Sequence, residues 1–182
     1  MMLQNSPTTK KGVVMSQPLV GILMGSDSDW PKIKAAAAAL AEFNVPYEVR
    51  VMSAHRTPDL VQQYASTAAA RGLRVIIAAA GGAAHLAGVV AAHTVLPVIG
   101  IPVPTDLQGG LDSLLSMVQM PGDVPVATVG VGSGGARNAG LLAVQMLALA
   151  DPALQEKYAA YKRGLVEKIL AKDAALQATL QQ

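Results

Sequence analysis

The stretch Ser53-Ala54-His55-Arg56-Thr57-Pro58 places two reactive side chains together. An imidazole takes up and returns protons near neutral pH, and a guanidinium grips phosphate or carboxylate through two donors. A second polar stretch, Gly25-Ser26-Asp27-Ser28-Asp29, offers hydroxyls and amides just ahead of Trp30-Pro31. Amides at a helix start attract anions, although Ser28 or Asp29 as a simple helix cap uses the same residues. Two carboxylates in a phosphate loop are unexpected, so Asp29 suits ribose hydroxyls better. A third stretch, Ala80-Gly81-Gly82-Ala83-Ala84-His85-Leu86, brings a second histidine and glycines that admit close backbone approach to a ligand. Those glycines equally fit close helix-on-sheet packing. His93, near a helix end, reads as structural.

Other chemistries lack their residues. The three histidines have no HExxH-like spacing and no nearby carboxylate set, so no metal is expected. No lysine stands at a strand end for a Schiff base, and neither a P-loop nor GxSxG occurs. Gly130-Val131-Gly132-Ser133-Gly134-Gly135 matches GxGxxG, but in the last strand–helix unit, with no following strand to supply an acidic residue for a ribose. A dinucleotide site is therefore rejected there, while the loop remains available to wall a smaller pocket. Phosphate-binding turns around a histidine remain, which suit proton transfer on a phosphorylated small molecule without a cofactor.

Alternating strands and helices must position these groups. The runs Leu19–Met24, Tyr47–Met52, Val75–Ala79, Pro97–Ile101 and Val126–Val129 read as strands. Helices are expected from Trp30 to about Phe43, Pro58 to about Ala70, after Leu86 to about Thr94, Asp112–Met120 and Ala136–Leu149. Thr57 as cap and Pro58 at the first helical position mark the second helix. Pro102 to Gly110 reads as a loop and Gln119 to Asp123 as a candidate lid. The pattern predicts a doubly wound parallel α/β sheet with five strands, whose ligands bind at the strands' carboxyl ends. A last helix after Asp151-Pro152 carries Leu154, Tyr158, Tyr161, Leu165 and Ile169 on one stripe. That stripe covers either its own domain or a neighbouring subunit, and the apolar excess favours the neighbour.

Composition narrows the class. The chain has 182 residues and a formal net charge of only +2, so no basic field argues for nucleic acid. Aromatics make up 3%, too few for base-stacking platforms. Cysteine is absent, which fits a reducing compartment, and a cytoplasmic location is expected. Hydrophobic residues reach 52%, much of it alanine, which suggests surface buried between subunits. The uncharged run Val75–Thr105 is interrupted by glycines, prolines, His85 and His93, and reads as buried strand–helix–strand rather than a membrane span. Residues 1–17 read as a disordered arm without a signal peptide, and residues 18–182 as one catalytic domain.

In combination, Met24-Gly25-Ser26-Asp27-Ser28-Asp29-Trp30, Ser53–Pro58, Gly81–Leu86 and Asp112-Ser113-Leu114 through Gln119-Met120-Pro121 resemble one family. It is the N5-carboxyaminoimidazole ribonucleotide mutases of purine (IMP) biosynthesis, the stand-alone bacterial class I PurE type. The resemblance covers roughly Leu19 to Ile169. It implies a three-layer flavodoxin-like fold with an additional C-terminal helix, and a homo-octamer with sites near subunit boundaries. It also implies an isomerase that moves a carboxylate from the exocyclic nitrogen to the ring carbon of an aminoimidazole ribonucleotide, without ATP, metal or cofactor. By that resemblance His55 is catalytic, Ser26, Asp29 and Arg56 hold the ribose phosphate portion, and Ser28, Ser53, Gly82, Ala83, His85 and Leu86 complete the pocket. A related branch carboxylates aminoimidazole ribonucleotide directly with carbon dioxide; it tends to carry Lys where this chain has Arg56. A non-catalytic nucleotide- or flavin-binding module is the rival from another class, with only Trp30 near a loop to stack on a flavin.

Overall fold

Five short strands assemble into one parallel sheet, in the order β2-β1-β3-β4-β5. A computed structural model describes residues 17–180. The N-terminal arm read from the sequence, apart from Gln17, lies outside them.

The strands are β1 (Val20–Met24), β2 (Tyr47–Val51), β3 (Val75–Ala80), β4 (Val98–Pro102) and β5 (Ala127–Thr128). They alternate with helices α1 (Trp30–Glu42), α2 (Pro58–Ala68), α3 (Leu86–Ala92), α4 (Leu111–Val118) and α5 (Gly132–Ala148), and α6 (Pro152–Leu180) closes the chain. β1, β3 and β4 are buried along their whole length, as strands covered on both faces must be. Successive side chains divide between the two faces. Ile22, Met24, Ile77 and Ile99 join Ile33, Leu40 and Val144 of α1 and α5 in one core. Leu23, Ile76 and Ala78 join Val61, Leu86 and Met117 of α2, α3 and α4 in the other. Small residues let helices come close: a Cβ on Gly140 of α5 would lie 2.5 Å from the Ala36 carbonyl oxygen of α1.

Register decides where the loops emerge. Met24 lies beside Val51 on one side and Ala79 on the other, so these strands end level. The loops after β1, β2 and β3 therefore leave the same edge as neighbours.

Several local readings change. The first helix is preceded by a 3-10 turn, Asp27–Asp29, capped by Ser26, whose hydroxyl accepts from the Ser28 amide; Asp29 makes no side-chain cap bond. Thr57 stands at the N-cap position of α2, as expected, but makes no side-chain cap bond either. Its hydroxyl accepts from the Ser53 amide at 2.9 Å and donates to the Ser53 carbonyl at 3.1 Å, closing the loop before the helix instead. β5 is only two residues long. α5 begins at Gly132 rather than Ala136, because the glycine run forms its first turn. There a Cβ on Gly135 would fall 1.5 Å from the Gly130 carbonyl oxygen, so only glycine fits.

The α6 stripe divides. Tyr158 and Tyr161 pack on Phe43 with ring centroids 5.5 and 5.4 Å away, so the first turns cover the chain's own core. Beyond them Leu165, Ile169, Leu176 and Leu180 are exposed. None of the helices within the described residues is long and apolar enough to cross a membrane.

Candidate active site

The three loops at the sheet's carboxyl edge enclose an open cleft of about 350 Å³. Gly25, Ser26 and Asp29 come from the first loop, Ser53, His55 and Arg56 from the second, and Gly81, His85 and Leu86 from the third. Thus seven of the residues singled out in the sequence converge: Ser26, Asp29, Ser53, His55, Arg56, His85 and Leu86. Ser28, Gly82 and Ala83 are not part of the lining. Ser28 shares a 2.8 Å hydroxyl contact with Ser26, and the Gly82 amide donates to Ser113 Oγ at 2.9 Å. Ala54, Ala80 and Ala84 complete the lining. Alanines give no chemical signal in sequence, and these three are not singled out there.

The second loop is tied from within. Ser53 Oγ accepts from the backbone amides of His55 and Arg56, each at 3.3 Å. Arg56 Nη2 donates to the Gly25 carbonyl at 2.7 Å, joining the second loop to the first. His55 Nε2 lies 2.7 Å from His85 Nδ1, with the rings nearly edge to face. Thirty positions separate these histidines in sequence, and the level strand ends bring them together. One proton lies between the facing nitrogens, donated by one ring and accepted by the other.

The third loop carries backbone strain. Gly82 has φ +66°, where glycine is at ease, but Ala84 has φ +49°. A left-handed residue with a Cβ costs roughly 1–2 kcal/mol and persists where its surroundings hold it.

Burial raises the Asp29 carboxyl above the ordinary aspartate range, against the pull of Lys32, the Ser26 backbone bond and Arg56. The folded chain thus disfavours ionised Asp29. Its contribution to stability is full below the unfolded value near 3.8 and is lost as pH rises through the raised folded value. Asp29→Asn, neutral throughout, should therefore gain stability relative to the parent between pH 4 and 7. Urea unfolding at both pH values measures this, and a relative loss toward neutral pH would contradict it.

The geometry defines a doubly wound α/β protein with a histidine pair at the carboxyl edge of its sheet. The chain belongs to the AIR carboxylase family, whose model matches residues 19–168. A Mycobacterium tuberculosis protein named N5-carboxyaminoimidazole ribonucleotide mutase is 63% identical over 161 residues, covering 88% of this chain and 91% of that protein. A Bacillus subtilis protein of the same name is 62% identical over 141 residues, covering 78% and 87%. The crystal structure of Treponema denticola PurE superposes with a TM-score of 0.79 at 32% identity, covering 87% of this chain and 98% of that one.

Proposed function

We propose that the chain converts N5-carboxyaminoimidazole ribonucleotide to 4-carboxy-5-aminoimidazole ribonucleotide in purine biosynthesis. This is an isomerase reaction, and the relatives that share most of its length carry the mutase name. The observation that carries the chemistry is the His55–His85 pair, set beside Arg56 in one cleft.

An N-carboxylate is a carbamate, which loses carbon dioxide once its nitrogen is protonated. His55 supplies that proton. The freed aminoimidazole is enamine-like, and its ring carbon attacks the retained carbon dioxide, forming the new carbon–carbon bond. His55, now neutral, removes the ring proton and restores aromaticity, so one group acts as acid and then as base. The pair with His85 suits this role: a proton gained on an outer nitrogen can be matched by a shift of the shared one. Ser26, Asp29 and Arg56 take the ribose and phosphate side, with Arg56 supplying the positive charge. Ser53, His85 and Leu86 shape the remaining wall, Ser28, Gly82 and Ala83 complete the pocket around it, and Ala54, Ala80 and Ala84 give it the apolar surface that holds the gas.

Both histidines are exposed in the single chain, whereas carbon dioxide must be kept from solvent. A homo-octamer with sites near subunit boundaries would close the cleft. The exposed Leu107 and the exposed face Leu111, Leu115 and Val118 of α4, with the far half of α6, supply apolar surface for it. The catalytic domain spans residues 18–182, and the enzyme works in the cytoplasm.

The test compares turnover of N5-carboxyaminoimidazole ribonucleotide with that of aminoimidazole ribonucleotide plus bicarbonate, both without ATP. Preference for the first establishes the mutase. Preference for the second moves the chain to the direct carboxylases. Turnover of neither leaves a binding module, although the cleft lining has no Trp, Tyr or Phe to stack on a flavin.

A further inference from the structure

We propose that Ser113 and Ser116 are positioning residues that hold the turn 81–84 in the shape that sets His85 against His55. Only the kinetic consequence rests on the mutase reading.

The turn has little holding it from within. β3 ends at Ala80, and a single backbone bond from the Ala84 amide to the Gly81 carbonyl, 3.2 Å, closes the turn. Two of its residues, Gly82 and Ala84, occupy left-handed conformations, and Ala84 does so with a side chain. Such a backbone survives only where its surroundings over-determine it. α4 provides that constraint from outside the cleft, since none of its residues lines the cavity.

Ser113 is wholly buried, and its hydroxyl works in both directions. It donates to the Val103 carbonyl at 2.8 Å and accepts from the Gly82 amide at 2.9 Å. Val103 is itself fixed to β3, its amide donating to the Ala80 carbonyl at 2.9 Å. Ala80, Val103, Ser113 and Gly82 thus form a closed circuit around the entrance to the turn. Ser116 lies three residues further along the helix, on the same face. It donates to the Ala83 carbonyl, clamping the next peptide. Ser116 is exposed, so its bond replaces one that water would make and adds little to global stability. Its effect falls on the geometry of the turn, and His85 follows directly.

The full chain, labelled with 15N-histidine, makes the geometry readable, because it contains only three histidines. In the parent, the imidazole nitrogens of His55 and His85 should show shifts of fixed, hydrogen-bonded tautomers. In Ser116→Ala and Ser113→Ala they should move toward those of exchanging tautomers, with His93 unchanged. In Ser116→Ala kcat should fall about 10–100-fold with KM within about twofold, as for loss of an outer positioning contact. Ser116→Thr keeps the hydroxyl and should restore most of the rate and the parent shifts. If Ser113→Ala fails to fold, the two Ser116 variants decide the question. Parent-like histidine shifts in folded Ser116→Ala, or parent-like kcat there, would overturn the proposal, whatever the melting temperature does. If the parent itself does not turn over N5-carboxyaminoimidazole ribonucleotide, the mutase reading fails, and the nitrogen shifts still decide the positioning role.

Discussion

His55→Asn should lower kcat for the carboxylate transfer by about 10²–10⁴-fold, the range expected for losing a general acid–base group. Asparagine keeps a polar group facing His85 and a similar bulk, so the loop and the cleft should persist. It cannot take up a proton, however, and both halves of the reaction need one moved. Substrate affinity should change only a few-fold, because Ser26, Asp29 and Arg56 stay in place. His85→Asn leaves the proton carrier but removes its 2.7 Å partner, so its loss should be smaller. Single-turnover kinetics with N5-carboxyaminoimidazole ribonucleotide separates binding from chemistry. Normal turnover by folded His55→Asn would remove His55 from the proton path.

Much of this arrangement is legible in the chain, for a physical reason. Buried parallel strands leave uninterrupted apolar runs such as Val75–Ala79, and their ends must carry whatever the protein offers a ligand. That logic places His55, Arg56 and His85 at one sheet edge. It does not place them within hydrogen-bonding distance of each other, because register between β1, β2 and β3 is a three-dimensional property.

Glycine and serine mislead for opposite reasons. The run Gly130–Gly135 reads as a turn because glycine usually breaks helices, yet the close approach of Gly135 to the Gly130 carbonyl demands glycine inside α5. Ser113 gives no sign of burial in the sequence, since serines mostly lie at the surface, yet it is fully buried because one hydroxyl satisfies two backbone groups. Thr57 shows that a capping residue can mark a helix start without making the cap bond. The end of the α6 stripe was hidden as well, since Leu165 and Ile169 continue the period of Leu154, Tyr158 and Tyr161 after the domain beneath them has ended.

Gly140→Ala should destabilise the chain by about 1–3 kcal/mol, although alanine is the better helix former. The added methyl would meet the Ala36 carbonyl oxygen at 2.5 Å and the Ala39 methyl at 2.8 Å. A flexible side chain could swing aside from such a contact, but the first obstacle is backbone, so α1 and α5 must separate. Both helices pack on the same face of the sheet, where Ile33, Leu40 and Val144 share one core with Ile22 and Ile77. Separation therefore loosens contacts well beyond the substituted position. For a domain of this size the cost corresponds to a fall in Tm of roughly 2–4 °C per kcal/mol. Gly164→Ala supplies the control. It lies within α6 with nothing near the added methyl, so only helix propensity changes, and stability should rise by about 0.5–1 kcal/mol. Thermal and urea unfolding of the two variants beside the parent measures both signs. Equal gains from both substitutions would mean that α1 and α5 do not approach this closely in solution.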